Sequence, residues 1–309
     1  MKSKLFRQIT LLSLLALAVL PLAAQERPPV LEISHVAVKA ADMEKSLAFY
    51  RDFLGYAEQG RLAYSDDGSL QLVFLKVSET QWIEIFDAKR LAKEDRLYQV
   101  SFRIADAEAM RAYLEKMGIK VPPKASQGRI KNRAFSVRDP NNYVIEFQQY
   151  TPEGWTTRDQ GKFLPATRIS DHIKHAGVVV DDVSASRHFY NDVLGFKESW
   201  RGSAGGKELS WLHVKPPESG DFIELMLDPN PALPHFCLEV PDIEKARAKL
   251  EGTAYFSTYA RPLEPKTGKN RKRQLNLYDP EGIRVELMEP DTVDGKPVPP
   301  SDAPLPKRK

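Results

Sequence analysis

The most constraining feature of this sequence is that it repeats itself. The segment "ISHVAVKAADMEKSLAFYRDFLGY" (33–56) and the segment "IKHAGVVVDDVSASRHFYNDVLGF" (173–196) lie 140 residues apart and share ten residues in 24 ungapped positions. A repeat of this length predicts two homologous modules, at 30–150 and 171–290. The chain of 309 residues is long enough for two such domains. A polar linker rich in turn residues, 151–170, joins them.

The first 24 residues differ in character from both modules. Three basic residues precede a short apolar run that ends in small residues at Ala23 and Ala24. A basic start, an apolar run too short to span a bilayer and a small-residue cleavage site are typical of a secretory signal peptide. We therefore expect residues 1–24 to be a signal peptide and the protein to be exported, periplasmic or secreted. No stable membrane insertion is expected after cleavage.

Composition limits the partners that this chain is expected to have. A net charge of +3 gives no reason to expect a nucleic-acid partner. One cysteine, Cys237, excludes an intramolecular disulfide. Basic loops at 129–133 and 265–274 could attract an anionic small-molecule substrate, although solvated loops are the favoured interpretation. The Pro-rich tail, 291–309, is predicted to be disordered or extended. The oligomeric state is left open.

Each module divides again into two units that share one order of elements: strand, helix and three more strands. The helix predicted over 42–55 has Asp42 as a suitable N-cap, apolar residues at helical spacing, and Gly55 in the position that ends many helices. Its copy runs from Asp182 to Gly195. Four units of this kind predict an α+β fold.

Alternation along the strands separates apolar from ionisable side chains. Neighbouring residues of a strand point to opposite faces of a sheet. The apolar face must cover the helices, so the ionisable residues face the other side. In each unit, the first and last strands carry a residue with ligand-type chemistry on that side. These residues are His175, Glu224, His235 and Glu286 in the second module, and His35, Glu84, Gln99 and Glu146 in the first.

These eight residues predict a metal site if the polar side of each sheet is concave. A solvated sheet face explains any one of them, but four ligand-type residues in corresponding positions favour a metal. Imidazole and carboxylate groups suit Zn, Ni, Co, Mn or Fe(II). We therefore predict one divalent ion per chain, in the second module. The first module has Gln99 where the second has His235, so its site is vestigial or second in rank.

Four strand–helix–three-strand units, with His or Gln in each first strand and Glu in each last strand, resemble the vicinal oxygen chelate superfamily. This superfamily includes glyoxalase I, extradiol dioxygenases and bleomycin-resistance proteins. The resemblance covers about 30–290. It implies two tandem modules, each a pair of βαβββ units that form a curved, cup-like mixed sheet with helices outside. Because members catalyse several reactions, the resemblance implies the fold more strongly than it implies one activity.

The second module is similar to the four-ligand site of glyoxalase I. That similarity implies a metal acting as a Lewis acid on a small substrate with adjacent oxygens, with an isomerase- or lyase-type proton transfer. Glu224 or Glu286 is the candidate catalytic base. His213 could serve as an acid or base beside the site, although an ordinary strand residue is the favoured interpretation.

Two alternatives stay open. The trio His175, His235 and Glu286 is similar to the 2-His-1-carboxylate Fe(II) site of extradiol ring-cleaving dioxygenases. Those enzymes usually have a tyrosine ten residues before the last glutamate, where this chain has Asn276. That departure, the additional Glu224 and the expected export count against oxygen chemistry. The other alternative is a non-catalytic protein that binds a small molecule, as bleomycin-resistance proteins do.

Overall fold

The computed structural model describes residues 26–90, 97–227 and 233–307. The predicted signal peptide, residues 1–24, lies outside the described residues. Within the three described ranges, no helix combines the length and the apolar character that a membrane span requires.

The first module has two units in the predicted order. Its eight strands are β1 Val30–Ala40, β2 Ala57–Ala63, β3 Leu70–Lys76, β4 Trp82–Asp87, β5 Leu97–Ile104, β6 Ser126–Gln127, β7 Arg133–Arg138 and β8 Val144–Gln149. Its helices are α1 Met43–Leu47, which continues as a π-helix over Ala48–Phe53, a 3₁₀ turn at Ala88–Arg90, and α2 Ala107–Lys116. A short helix in the linker, α3, spans Trp155–Arg158.

The second module repeats this order. Its strands are β9 Ile173–Val179, β10 Lys197–Gly202, β11 Trp211–Lys215, β12 Phe222–Met226, β13 His235–Glu239, β14 Lys266–Thr267, β15 Lys272–Tyr278 and β16 Arg284–Thr292. Its helices are α4 Val183–Arg187, which continues as a π-helix over His188–Val193, then α5 Ile243–Glu251 and a 3₁₀ helix over Ala254–Thr258. The prediction of four strand–helix–three-strand units is confirmed.

Each module forms one curled, mixed sheet of eight strands, with strand order β10-β11-β12-β9-β13-β16-β15-β14 in the second module and the equivalent order in the first. The first strands of the two units, β9 and β13, pair antiparallel in the middle of the sheet. Each is flanked on its other side by the last strand of its own unit, in parallel pairing. The four central strands are therefore those that carry the four ligand-type residues.

Aspartate residues begin the four principal helices. The side chains of Asp42, Asp106, Asp182 and Asp242 each accept a hydrogen bond from a backbone N–H in the first turn. Such caps satisfy N–H groups that have no partner inside the helix. Gly55, just beyond the first helix, has φ of +80°, a conformation that favours glycine. The caps and the helix end predicted from the sequence are confirmed.

The two modules contact each other through a duplicated pair of hydrogen bonds. Tyr50 Oη donates to Asp279 Oδ2 at 3.1 Å, and Tyr190 Oη donates to Asp139 Oδ2 at 3.0 Å. In each pair the tyrosine belongs to the first helix of one module, and the aspartate begins the turn before the last strand of the other. All four side chains are buried. The apolar cores of the modules are continuous across this junction.

The Pro-rich tail, predicted over 291–309 to be disordered or extended, contacts the second module. Strand β16 continues to Thr292 and is followed by a turn, after which the chain contacts the second module again. Ser301 N donates to the carbonyl of Arg201, and the carbonyl of Pro304 accepts from Leu209 N. Leu305 packs against the core. Prolines lack only the N–H, so their carbonyls still pair with the edge of the sheet.

Candidate metal centre

Two imidazoles and a carboxylate meet on the concave face of the second module. The Nε2 atoms of His175 and His235 lie 3.2 Å apart. Glu286 Oε2 lies 3.4 Å from the first of these nitrogens and 3.3 Å from the second. All three residues are buried. The pairing of β9 with β13, and of β13 with β16, places the three side chains side by side on one face.

This arrangement fits a divalent cation. Metal–ligand bonds of about 2.0–2.2 Å place neighbouring ligand atoms about 3.0–3.5 Å apart. The three distances among His175, His235 and Glu286 fall in that range. Within the described parts of the chain, these three form the one group of His, Cys, Asp or Glu residues close enough to share an ion. The donors are two nitrogens and one oxygen, which suit Zn, Mn, Fe(II), Co or Ni.

The environment of His235 favours the form that binds a metal. Its Nδ1 lies 3.2 Å from the carbonyl of Leu233, which can only accept a hydrogen, so Nε2 carries the free lone pair. Burial, together with the positive charge of Arg284, lowers the pKa of His235 to about 4. The imidazole is therefore neutral at neutral pH, as metal binding requires.

Arg284 is a part of this site that the sequence interpretation did not single out. Its Nη2 lies 2.5 Å from Nδ1 and 2.8 Å from Nε2 of His235. One amino group cannot hydrogen-bond in the ring plane to both nitrogens, so the guanidinium lies against the ring. The sequence does indicate that Arg284 lies near the site, because residues two apart in a strand point to the same face and Arg284 is two residues before Glu286.

Glu224 lies beside the trio and is held by His213. Glu224 Oε1 is 3.5 Å from His235 Nε2, and His213 Nε2 donates to Glu224 Oε2 at 2.9 Å. The ring of His213 is buried and stacks on Phe222, with 4.3 Å between centroids. The favoured interpretation of His213 as an ordinary strand residue therefore missed its contact with the site. The pairing of His213 with Glu224 across β11 and β12 creates this contact.

Both carboxylates of this site are held in their ionised form. Burial favours the neutral acid, but the hydrogen bond from His213 and the proximity of His235 outweigh it and lower the pKa of Glu224 to about 2. For Glu286, burial is likewise outweighed by its contacts with His175 and His235, and its pKa lies well below the usual range. Ionised carboxylates are the form that binds a cation.

The first module brings its four predicted residues together in a different way. His35 Nε2 lies 3.6 Å from Glu84 Oε1, 3.5 Å from Glu146 Oε1 and 2.9 Å from Gln99 Nε2. An amide replaces the second imidazole, so the nitrogen donor pair of the second module is missing. Gln99 offers a metal only its amide oxygen, which lies opposite the nitrogen that faces His35.

The carboxylates of the first module have higher proton affinities. Burial, reinforced by the charge of Glu146, raises the pKa of Glu84 to about 8, and burial raises the pKa of Glu146 to about 7. Burial lowers the pKa of His35 to about 3. Glu84 is held by Trp82 Nε1 at 3.0 Å, a neutral donor. The two cups thus share a layout but differ in charge.

Several buried polar atoms on the concave face of the second module have no hydrogen-bond partner in the structure. They are His175 Nδ1, Trp200 Nε1, Asn276 Oδ1 and Arg284 Nε. Buried polar groups without partners are costly, and these four atoms are available to hydrogen-bond a ligand in the cup. Asn276 pairs with Glu286 across β15 and β16, so it lies at the site in the position where the dioxygenase resemblance implies tyrosine.

Two further sequence expectations concern Cys237 and the basic loops. Cys237 is fully buried and packs with Phe222 and Met288, as expected for a small buried residue. Burial, reinforced by nearby carboxylates, raises the pKa of its thiol well above the usual value. In the loops, Arg271 donates to Asp294 at 2.6 Å, and Arg129 donates to the carbonyl of Ala63 at 2.6 Å. These arginines are engaged in contacts on the protein surface.

Comparison with known proteins identifies the family. Residues 32–147 and 172–287 each match the model of the Glyoxalase/Bleomycin resistance protein/Dioxygenase superfamily, and the chain belongs to this superfamily. Lactoylglutathione lyase of Schizosaccharomyces pombe is 23% identical over 308 residues, which span 84% of this chain and 96% of that protein. Glyoxalase I of Saccharomyces cerevisiae is 29% identical over 98 residues, 32% of this chain and 28% of that protein.

Solved structures of related proteins share the fold. The Mn(II)-bound glyoxalase from Novosphingobium aromaticivorans superposes with a TM-score of 0.65 at 17% identity, over 91% of this chain and 89% of that one. A 2,3-dioxygenase from Pseudomonas sp. KL28 gives 0.66 at 18% identity, over 91% and 98%. A variant of homoprotocatechuate 2,3-dioxygenase from Brevibacterium fuscum gives 0.64 at 20% identity, over 88% and 74%. At these identities the likeness concerns the fold.

Proposed function

We propose that this chain is an exported, divalent-metal-dependent enzyme that catalyses an isomerase- or lyase-type proton transfer on a small substrate with adjacent oxygens. One observation carries the proposal: two imidazole nitrogens and one carboxylate oxygen lie within 3.4 Å of each other in a buried cup. Buried charged groups are paired or coordinate metals, and these three atoms are close enough to share one ion.

In this proposal His175, His235 and Glu286 hold the metal, and the negative charge of Glu224 beside them strengthens the binding of the cation. The ion supplies Lewis acidity toward substrate oxygens when it is bound. Glu224, ionised and adjacent to the trio, accepts a proton from the substrate at Oε1 and returns it to a neighbouring atom. His213 fixes this carboxylate through Oε2, 2.9 Å away, so that the other oxygen faces the cup. The unpartnered Asn276 Oδ1 hydrogen-bonds and orients the substrate.

Two features support lyase-type chemistry in particular. The similarity to a lactoylglutathione lyase extends over nearly the whole length of that protein. In addition, Oε1 of a second carboxylate, Glu224, lies 3.5 Å from His235 Nε2, which provides a proton acceptor in addition to the ligands. A general base must lie within reach of the proton that it removes, and Glu224 meets that condition for a substrate in the cup.

A ring-cleaving dioxygenase is the second candidate function. It is favoured by the composition of the compact group, two histidines and one glutamate, which is the ligand set of non-haem Fe(II) oxygenases. Asn276 in place of tyrosine and the proximity of Glu224 favour the first candidate. Oxygen uptake by the Fe(II)-loaded protein with homoprotocatechuate, compared with turnover of lactoylglutathione, distinguishes the two.

The metal itself is tested by measuring ion content in three proteins. Wild type and the surface variant His188→Ala are expected to hold about one divalent ion per chain, and His235→Ala less than a tenth of that. His188 is a suitable control because its side chain is 68% exposed. Near-zero content in all three proteins removes the metal-dependent function. Glu286→Gln should abolish turnover of any substrate found, and a fully active variant contradicts its role.

A further inference from the structure

Gly177 occupies a central position in the second cup. On β9 it lies two residues after His175, and therefore on the same face of the sheet. It pairs with Glu224 on one side and with His235 on the other. Two of the four predicted ligand residues are thus its direct neighbours across the strands.

The imidazole of His235 lies over the space that a larger residue would fill. A Cβ atom added at Gly177 would lie 2.9 Å from Nε2 of that ring and closer still to Nδ1 and Cε1. Real Cβ atoms essentially never approach other heavy atoms below 3.0 Å. The ring has no free space to retreat into, since His235 is fully buried and Arg284 lies against it. Any shift moves Nε2 away from His175 and Glu286.

The first module has a different residue at this position. Ala37 lies two residues after His35 and pairs with Glu84 on one side and with Gln99 on the other. The pair Gly177 and His235 in one module therefore corresponds to Ala37 and Gln99 in the other. A glutamine side chain is unbranched and flexible, so it can pass beside a methyl group where the flat imidazole ring cannot.

We propose that Gly177 determines which of the two cups holds a metal. Glycine leaves room for the imidazole of His235 to lie across β9 and meet His175, whereas the methyl group of Ala37 excludes an imidazole from the same place in the first module. Gly177 is a positioning residue, because it acts through His235. The inference rests on the proposed metal-dependent function and adds a reason for its restriction to one module.

The test compares metal affinity in matched glycine variants, with Mn²⁺ and Zn²⁺ as probes in competition with a chelator. Wild type and Gly205→Ala are expected to bind one ion with equal affinity. Gly205 is the control because a Cβ there meets nothing within 4 Å. Gly177→Ala is expected to bind at least about 10-fold more weakly, the scale of a disturbed ligand position. Its far-ultraviolet circular dichroism should remain that of wild type.

The reciprocal change is made in the first module. Ala37→Gly with Gln99→His is expected to gain a second ion per chain, while Gln99→His alone is not. If Gly177→Ala does not fold, these two variants decide the question, and equal gains in both contradict the proposal. Wild-type affinity in a folded Gly177→Ala overturns it as well, and leaves the metal-dependent function intact. No binding by wild type overturns both.

Discussion

The hydrogen bond from His213 to Glu224 predicts that replacing His213 weakens the metal site, although His213 is not itself a ligand. The substitution His213→Phe keeps a flat ring between Phe222 and Trp200, whose centroids lie 4.3 Å and 4.6 Å away. It removes only the N–H that donates to Glu224 Oε2 at 2.9 Å. The carboxylate then remains in place but loses the contact that fixes its orientation.

The size of the effect follows from that single contact. A hydrogen bond to a charged group contributes about 1.5–3 kcal/mol. Because about 1.4 kcal/mol corresponds to a tenfold change in an equilibrium constant, the metal affinity should fall about 10- to 100-fold. The same interval is typical when residues that orient the groups around a metal are replaced.

The assay is chelator competition with Mn²⁺, with His188→Phe as the control for an identical substitution. His188 lies on the exposed side of the second module and pairs with exposed Asp192. Wild-type affinity is expected for that control. An affinity of His213→Phe within twofold of wild type, in a protein with native circular dichroism, would refute the assignment of Glu224 to the metal site.

Three other predictions concern the junction, the first cup and export. Tyr50→Phe removes the hydroxyl that donates to Asp279, and should lower the free energy of unfolding in urea by about 1.5–3 kcal/mol; a loss below about 0.5 kcal/mol contradicts this. Burial raises the pKa of Glu84 to about 8, whereas in the unfolded chain it is about 4.5. Between these two pH values only the unfolded state ionises at Glu84, so the free energy of unfolding is highest below pH of about 4.5 and falls as the pH rises to about 8. In chelator-treated protein, Glu84→Gln should therefore lose less stability than wild type between pH 5 and 8, and equal losses refute the shift. N-terminal sequencing of the exported protein should begin at Gln25, and an intact Met1 argues against cleavage.

Much of the site was predictable because its determinants are local. The alternation of side chains along a strand is fixed by backbone geometry, so His235 and Glu286 could be assigned to the polar face from a few neighbouring residues. The repeat then indicated that the two halves share one layout. The N-caps, such as Asp42, also depend only on the first turn of their helices.

The contacts between distant segments were not predictable in the same way. His213 was taken for an ordinary strand residue, and Arg284 was not singled out. Their roles depend on which strands become neighbours, and in which register. No local sequence pattern predicts the pairing of β11 with β12, or that the guanidinium of Arg284 lies against His235.

The sequence by itself determined the duplicated units, the polar face of each strand and the residue types available for a metal. The tertiary structure decided that β9 and β13 pair at the centre of the sheet, and that the sheet curls toward the polar side. It also decided that the space above Gly177 receives an imidazole. The physical reason is the sequence distance over which each property is set. The direction of a side chain follows from its own backbone, whereas bringing the ligand-type side chains together requires contacts between residues far apart in the chain.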